Sequence, residues 1–266
     1  MALALDHIVQ IVADLGAAQT ALGAMGLRAV AGGRHTQWGT RNAVCHLGLP
    51  YIELLALEDR QVARTSPFGR AVLAEADRGD GIWRLALRTG DIERSAQAVR
   101  EAGFRCAGPE PGRRQRPDGS IVQWSLAFPE LPDSDLATPM LIDWHEPDRR
   151  RLANLIGLGI AEQAPRALIA CVAVACRDPQ ATADFLHRAL GLAVQEVTTQ
   201  SYGSAWRASL RGGDIVLCGG PGAPPAVQDA LAQRGERPFA VHLRAGSGDA
   251  GGEVHLGGAH YTFASL

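Results

Sequence analysis

The sequence predicts an α+β protein built from paired βαβββ units, whose mixed sheets curve into two cups with helices on the outside. Two observations predict it. A strand, an aspartate, a helix and a glycine recur in the same order from Leu5, from Ile82 and from Leu168. The first two copies also close on an apolar strand carrying an acid, Tyr51-Ile52-Glu53-Leu54-Leu55 and Met140-Leu141-Ile142-Asp143-Trp144. Repeats of this period are supersecondary units stacked so that each buries its apolar face on the next.

The first unit opens with Leu5-Asp6-His7-Ile8-Val9-Gln10-Ile11-Val12, a strand over 3–12. Asp14 is placed to cap a helix over 15–25, and Gly26 ends it. Strands are expected near 28–34, 41–48 and 50–57, with turns at Gly32-Gly33 and Trp38-Gly39. Residues 58–81 read as an insertion with a helix near 67–77, starting after Pro67. The second unit follows over 82–145, with a helix over 91–102 and strands near 105–108, 120–128 and 139–145. A proline-rich loop over 129–139 interrupts it. These two units make a first domain, 1–148.

Residues 149–167 read as a linker, although Leu152, Leu155, Ile156 and Leu158 predict that it packs against something. A second, reduced domain covers 168–266. Its third unit spans 168–218, with Asp178-Pro179 opening the helix and Gly191 closing it. The fourth is trimmed: a strand at 239–243, no helix of usual length after it, and brief strands near 253–256 and 259–264. Gly219-Gly220-Pro221-Gly222 precedes no phosphate-binding helix directly and reads as a loop.

A chain of 266 residues suits two domains of ordinary size, and 46% hydrophobic residues suffice for a real core. A net charge of −2 gives no electrostatic ground for a nucleic acid or an anionic membrane as partner. Arg113-Arg114-Gln115-Arg116 reads as a solvated loop, and Arg116-Pro117-Asp118-Gly119 as a turn. No apolar run approaches the ~20 residues that cross a bilayer, and the first residues do not look like a signal peptide. Five scattered cysteines predict reduced core thiols and a cytoplasmic protein. The expected partner is a small molecule, with a homodimer left open. His187, His242, His255 and His260 form no interpretable spacing.

Paired βαβββ units with Asp6-His7 in the first strand and Tyr51-Ile52-Glu53-Leu54 in the fourth resemble the vicinal oxygen chelate superfamily, which includes glyoxalase I and the extradiol dioxygenases. Gly32-Gly33-Arg34-His35, Trp38-Gly39-Thr40-Arg41-Asn42-Ala43, Arg116-Pro117-Asp118-Gly119 and Leu141-Ile142-Asp143-Trp144 narrow the resemblance to its glyoxalase-like domain proteins. The resemblance covers 3–146 strongly and 168–266 by period alone. It implies a divalent metal, Mn²⁺, Mg²⁺, Fe²⁺ or Zn²⁺, held in the cup by the first and fourth strands of both units.

Carried over by position, the ligand places fall on His7, Glu53 and Asp143, with Arg84 at the first-strand place of the second unit. Arginine offers only donors and cannot ligate a metal. The alignment turns Arg84 inward, to pair with a carboxylate where the metal would sit; a one-residue slip would put Leu85 there instead and leave the place to the metal. In the second domain Cys171 takes the place of His7 and Leu217 that of Glu53, so no metal is expected there. Trp38, Arg41 and Asn42 are expected to border a pocket for an oxygen-rich ligand, with Arg84 a further substrate contact and Glu53 and Asp143 the acid–base groups. Three readings remain open: a lyase, isomerase or dioxygenase-type enzyme; a non-catalytic small-molecule binder with a vestigial metal site; and a structural or regulatory homodimer.

Overall fold

The protein is described by a computed structural model over residues 3–247 and 250–263. The first unit runs β1 (Ala4–Ile11), α1 (Leu15–Ala24), β2 (Val30–His35), β3 (Thr40–His46) and β4 (Tyr51–Leu57). The insertion forms α2 (Arg60–Ala63) and α3 (Pro67–Asp77). The second unit repeats the order as β5 (Gly81–Arg88), α4 (Ile92–Glu101), β6 (Arg105–Gln115), β7 (Ile121–Glu130) and β8 (Met140–Asp143). After α5 (Asp148–Gly157), the third unit comprises β9 (Ala167–Cys176), α6 (Pro179–Leu190), β10 (Val194–Thr199), β11 (Gly203–Ala208) and β12 (Asp214–Gly219). Then come α7 (Pro225–Arg234), β13 (Pro238–Ala245), β14 (Glu253–Leu256) and β15 (Ala259–Thr262). The last residue of the strand expected at 259–264 lies outside the described residues.

The recurring aspartates are helix caps. Asp14 accepts from the backbone N–H of Gly16 and Ala17, Asp91 from that of Arg94 and Asp178 from that of Ala181, at 2.8 to 3.1 Å. Each satisfies donors that the first helical turn leaves unpaired. Gly191 ends α6 at φ +66°, a left-handed conformation that glycine adopts without strain.

Eight strands of the first two units close into a barrel in the order β1-β4-β3-β2-β6-β7-β8-β5. Only β1–β4 and β5–β8 are parallel. The closure differs from the expected short strand at 105–108. β6 continues to Gln115, and the Arg34–Gln115 pairing joins β2 to β6. The remaining strands form an open sheet, β10-β11-β12-β9-β13-β15-β14.

One apolar core runs through both halves, from Leu5, Ile8 and Leu22 to Phe185, Val241 and Tyr261. Phe104 meets Phe185 edge-on at 5.0 Å, and α4 packs on α6. Glu75 of α3 is buried between Arg234 and Arg237, at 2.6 and 3.2 Å. Two segments differ from their sequence reading. The first half of the expected linker forms α5, because its apolar residues recur at helical spacing. Residues 225–234, given no element from sequence, form α7 ahead of β13.

Candidate functional site

The barrel interior is built by strand alternation. On β3, Thr40 and Asn42 are buried while Arg41 between them is exposed. On β4, Tyr51, Glu53 and Leu55 share one inner chamber with His7 of β1, His35 of β2, Trp124 and Leu126 of β7, and Met140 and Ile142 of β8. This chamber is about 20 Å³, room for roughly one water molecule. Above it, an open cavity of about 570 Å³ is lined by His46, Tyr51, Arg114, Trp144 and Arg151 among others. Tyr51, Arg114 and Trp144 line both spaces and form the neck between them.

His7 is held from two sides. Its Nδ1 lies 2.8 Å from Asp6 Oδ1, and its ring stacks on Tyr51 at 4.6 Å with the planes 22° apart. An irregularity in the β1–β5 pairing between Leu5 and His7 accompanies this contact between neighbours in sequence. Asp6 is fully buried and also accepts from Arg88 at 2.8 Å, Arg151 at 3.3 Å and the Trp144 indole at 3.1 Å. Burial alone would raise its carboxyl; Arg151, His7 and Arg88 outweigh that and hold it well below the usual carboxylate range. With Asp6 a carboxylate, Nδ1 is the protonated nitrogen of His7, which leaves Nε2 facing Glu53 Oε2 at 3.6 Å.

Glu53 accepts from the Asn42 amide. Gly32 permits this, since a Cβ there would overlap Asn42 Oδ1. His35 lies beside Thr40 Oγ1 at 3.0 Å and between the Trp38 and Trp124 rings. Burial pushes it down to about 4, with Glu53 opposing and Arg114 adding to the effect.

Arg114 is 7% exposed. Among the described residues no acid lies within 4.0 Å of its nitrogens, and its Nε has no hydrogen-bond partner. Burial lowers its affinity for the proton; Tyr51 and Glu53 counter this, while Arg116 and Arg151 add to it. Arg151, from α5, stacks its guanidinium on Trp144 at 4.0 Å while reaching Asp6. Asp148, in the first turn of α5, takes Arg88 bidentately at 2.6 and 2.9 Å and ties the helix to the barrel.

The residues singled out from sequence divide. His7, Glu53 and Trp38 line the inner chamber, and Asn42 reaches Glu53. Arg41 instead lines a separate cavity of about 600 Å³ with Arg34, Gln115 and Pro117. Asp143 is not among the chamber residues. Its neighbours Met140 and Ile142 are, and Asp143 accepts from the backbone N–H of His145 at 2.8 Å. One step along a strand reverses the face, so the inward fourth-strand residue of the second unit is Ile142.

Arg84 is likewise displaced from its expected place. Ala86 lies opposite His7 and pairs with Met140, as His7 pairs with Tyr51. Arg84 covers the rings of Trp83 and Phe128 at 5.1 and 5.5 Å, in another cavity, and makes no ion pair with a carboxylate among the described residues. In the third unit the same register puts Val216, rather than Leu217, in the place of Glu53 when Cys171 takes that of His7.

These registers decide how well a metal fits. The four places give His7, Glu53, Ala86 and Ile142, two donors and two apolar side chains, with the Arg114 cation close enough to act on Glu53. Among the described residues no three His, Cys, Asp or Glu side chains converge on one point. The donor set does not fit a resident divalent ion.

Sequence reading missed Asp6, Tyr51, Arg114, Trp144 and Arg151. For Arg114 the sequence held no signal: Gly112 and Arg114 are buried while Arg113 and Gln115 are exposed, but Gly-Arg-Arg-Gln carries no alternation of polar and apolar residues. For Arg151 there was none, because its partner Asp6 is 145 residues away.

Comparison with known proteins agrees with the architecture. A family described as a glyoxalase-like domain matches residues 5–190. A hypothetical protein from Staphylococcus aureus superposes with a TM-score of 0.79 at 19% identity, over 97% of this chain and 98% of that one. A mutant of 4-hydroxymandelate synthase from Streptomyces coelicolor superposes with a TM-score of 0.63 at 16% identity, over 92% of this chain and 72% of that one. Comparison with curated protein sequences gave no significant match. No helix among the described residues is long and apolar enough to cross a membrane. With the family matched over more than half its length, the chain belongs to the glyoxalase-like domain proteins of the vicinal oxygen chelate superfamily.

Proposed function

We propose that this protein binds a small organic anion rich in oxygen at the neck of its N-terminal barrel, and moves a proton on it through His7 and Glu53. The observation that carries the reading is Arg114: a guanidinium buried in the cavity wall with no acid in salt-bridge reach. A desolvated cation is costly unless something anionic meets it, and guanidinium suits a carboxylate bidentately. Arg151 adds a second positive charge from α5, already oriented by Asp6 and Trp144.

The proton-transfer part rests on the Asp6–His7–Glu53 line. Asp6 fixes the tautomer of His7, so Nε2 is free to accept a proton from a carbon or hydroxyl beside the bound anion. The proton on Nε2 would pass to the Glu53 carboxylate, 3.6 Å away and held by Asn42, which would return it at the neighbouring atom. Such chemistry is of the isomerase or lyase kind and needs no step through a metal. Five buried free cysteines suit a reducing compartment such as the cytoplasm.

Non-catalytic binding is the second reading, favoured by one observation. The inner chamber holds about one water, and Tyr51 stacks on His7 at its mouth, so a ligand in the outer cavity meets Arg114 before it meets His7. The two readings separate in D₂O. Pyruvate and 2-oxobutyrate serve as probes, with binding followed by thermal shift and deuterium entry beside the carbonyl followed by NMR. Catalysis predicts protein-dependent exchange that His7→Gln abolishes while binding persists. Binding without exchange leaves the second reading. Binding unchanged in Arg114→Met would refute the assignment of the anion site.

A further inference from the structure

We infer that the anion taken at Arg114 carries an apolar chain, so that the ligand is an amphiphilic carboxylate of the acyl type rather than a compact polar acid. The inference rests on the anion site proposed above and specifies what lies beyond it. Ile121 and Leu158 are the large hydrophobic side chains left exposed among the described residues, at 53% and 51%. Both line the same 570 Å³ cavity as Arg114 and Arg151. They come from unrelated elements: Ile121 begins β7 after the Pro117-Asp118-Gly119 turn, and Leu158 is the C-cap residue of α5.

Single exposed apolar residues are ordinary. Two from distant elements that share the mouth of one cavity, while large apolar side chains elsewhere are covered, are less so. Val122 and Leu155 extend the apolar lining from the same two elements. Arg114 and Arg151 are buried, whereas Glu146, the acid of this cavity, is occupied by Asn154 at 2.6 Å and Arg150 at 3.4 Å. A cation at the neck with apolar side chains farther out, beside the polar Arg116, Gln123 and Asn154 of the same rim, can hold a headgroup inside and an alkyl chain outside it. The volume, in the range of small-molecule sites, admits more than a two- or three-carbon acid.

Titration calorimetry with the straight-chain carboxylates acetate, butyrate, hexanoate and octanoate tests this on the full chain. Each added methylene that leaves water for the apolar wall should tighten binding about two- to fourfold, and the slope should flatten in Ile121→Ser/Leu158→Ser. Both positions are exposed, so these variants should fold; ligand-free melting curves check that, and the two single variants give intermediate slopes. A flat series in which acetate binds as well as octanoate overturns the chain inference while leaving the anion site standing. A steep series unchanged in the double variant overturns it too, since the chain then lies elsewhere. Failure of every acid to bind wild-type protein overturns both. Arg114→Met should weaken every acid by a similar factor and leave the slope; affinities unchanged across the series in that variant show binding by the chain alone and also refute the proposal.

Discussion

His35 gives the sharpest test of the polar interior. Its imidazole is 3% exposed, between two tryptophans, and burial holds it down to about 4. An ordinary histidine in the unfolded chain titrates near 6.5. Between those values the unfolded chain binds more protons than the folded one, so stability must fall as pH falls through that window and level off below it. From pH 7 to pH 5 the loss amounts to about 2 kcal/mol for this one residue. His46, half-buried and held down to about 3 by desolvation and the nearby Arg151, adds a loss of the same sign over the same interval. Asp6 does not interfere: its depressed carboxyl stabilises the fold above the ordinary aspartate value and gives way only in stronger acid. Urea unfolding at pH 7 and pH 5, for wild type and His35→Gln, reads the difference directly. The variant should lose about 2 kcal/mol less than wild type on acidification, whatever its stability at pH 7. An equal loss in both proteins would show that His35 is hydrated or already charged in the folded state.

Asp6→Asn should destabilise the protein by about 3–5 kcal/mol in urea melts, because it leaves Arg88 and Arg151 buried against a neutral amide; a loss under 1 kcal/mol would mean that Asp148 suffices for Arg88 and the Trp144 ring for Arg151 (~1 kcal/mol being an ordinary hydrogen bond). Gly32→Ala should cost about 1–3 kcal/mol and weaken carboxylate binding as Asn42 is driven off Glu53; an unchanged melting curve would show that Asn42 reorients freely. After EDTA treatment, Mn²⁺ or Zn²⁺ at micromolar concentration should leave the melting temperature within about 1 °C. Ligation about a hundredfold tighter than that concentration would add about 2.7 kcal/mol and raise it by several degrees, and such a rise would refute the two-donor reading of the barrel.

The sequence alone determined the repeated units and their helix caps. Those signals are local: Asp14, Asp91 and Asp178 cap the helices that begin at the next residue, accepting from N–H groups two or three positions on, and the apolar strands announce themselves within a few positions. It also singled out His7 and Glu53, whose neighbours carry the resemblance. What it could not determine was which side of a strand faces the barrel. A pairing register shifted by one residue exchanges Asp143 for Ile142 and Leu217 for Val216, and strands buried on both faces show no polar alternation to fix it. The site was not legible where burial alternates without an alternation of polar and apolar residues, as at Arg114, nor where the contact is made across the fold. Asp6, Arg88, Trp144 and Arg151 meet because the barrel closes and α5 folds back upon it. The free energy of that closure is summed over the core that the two halves share, and no local segment records it.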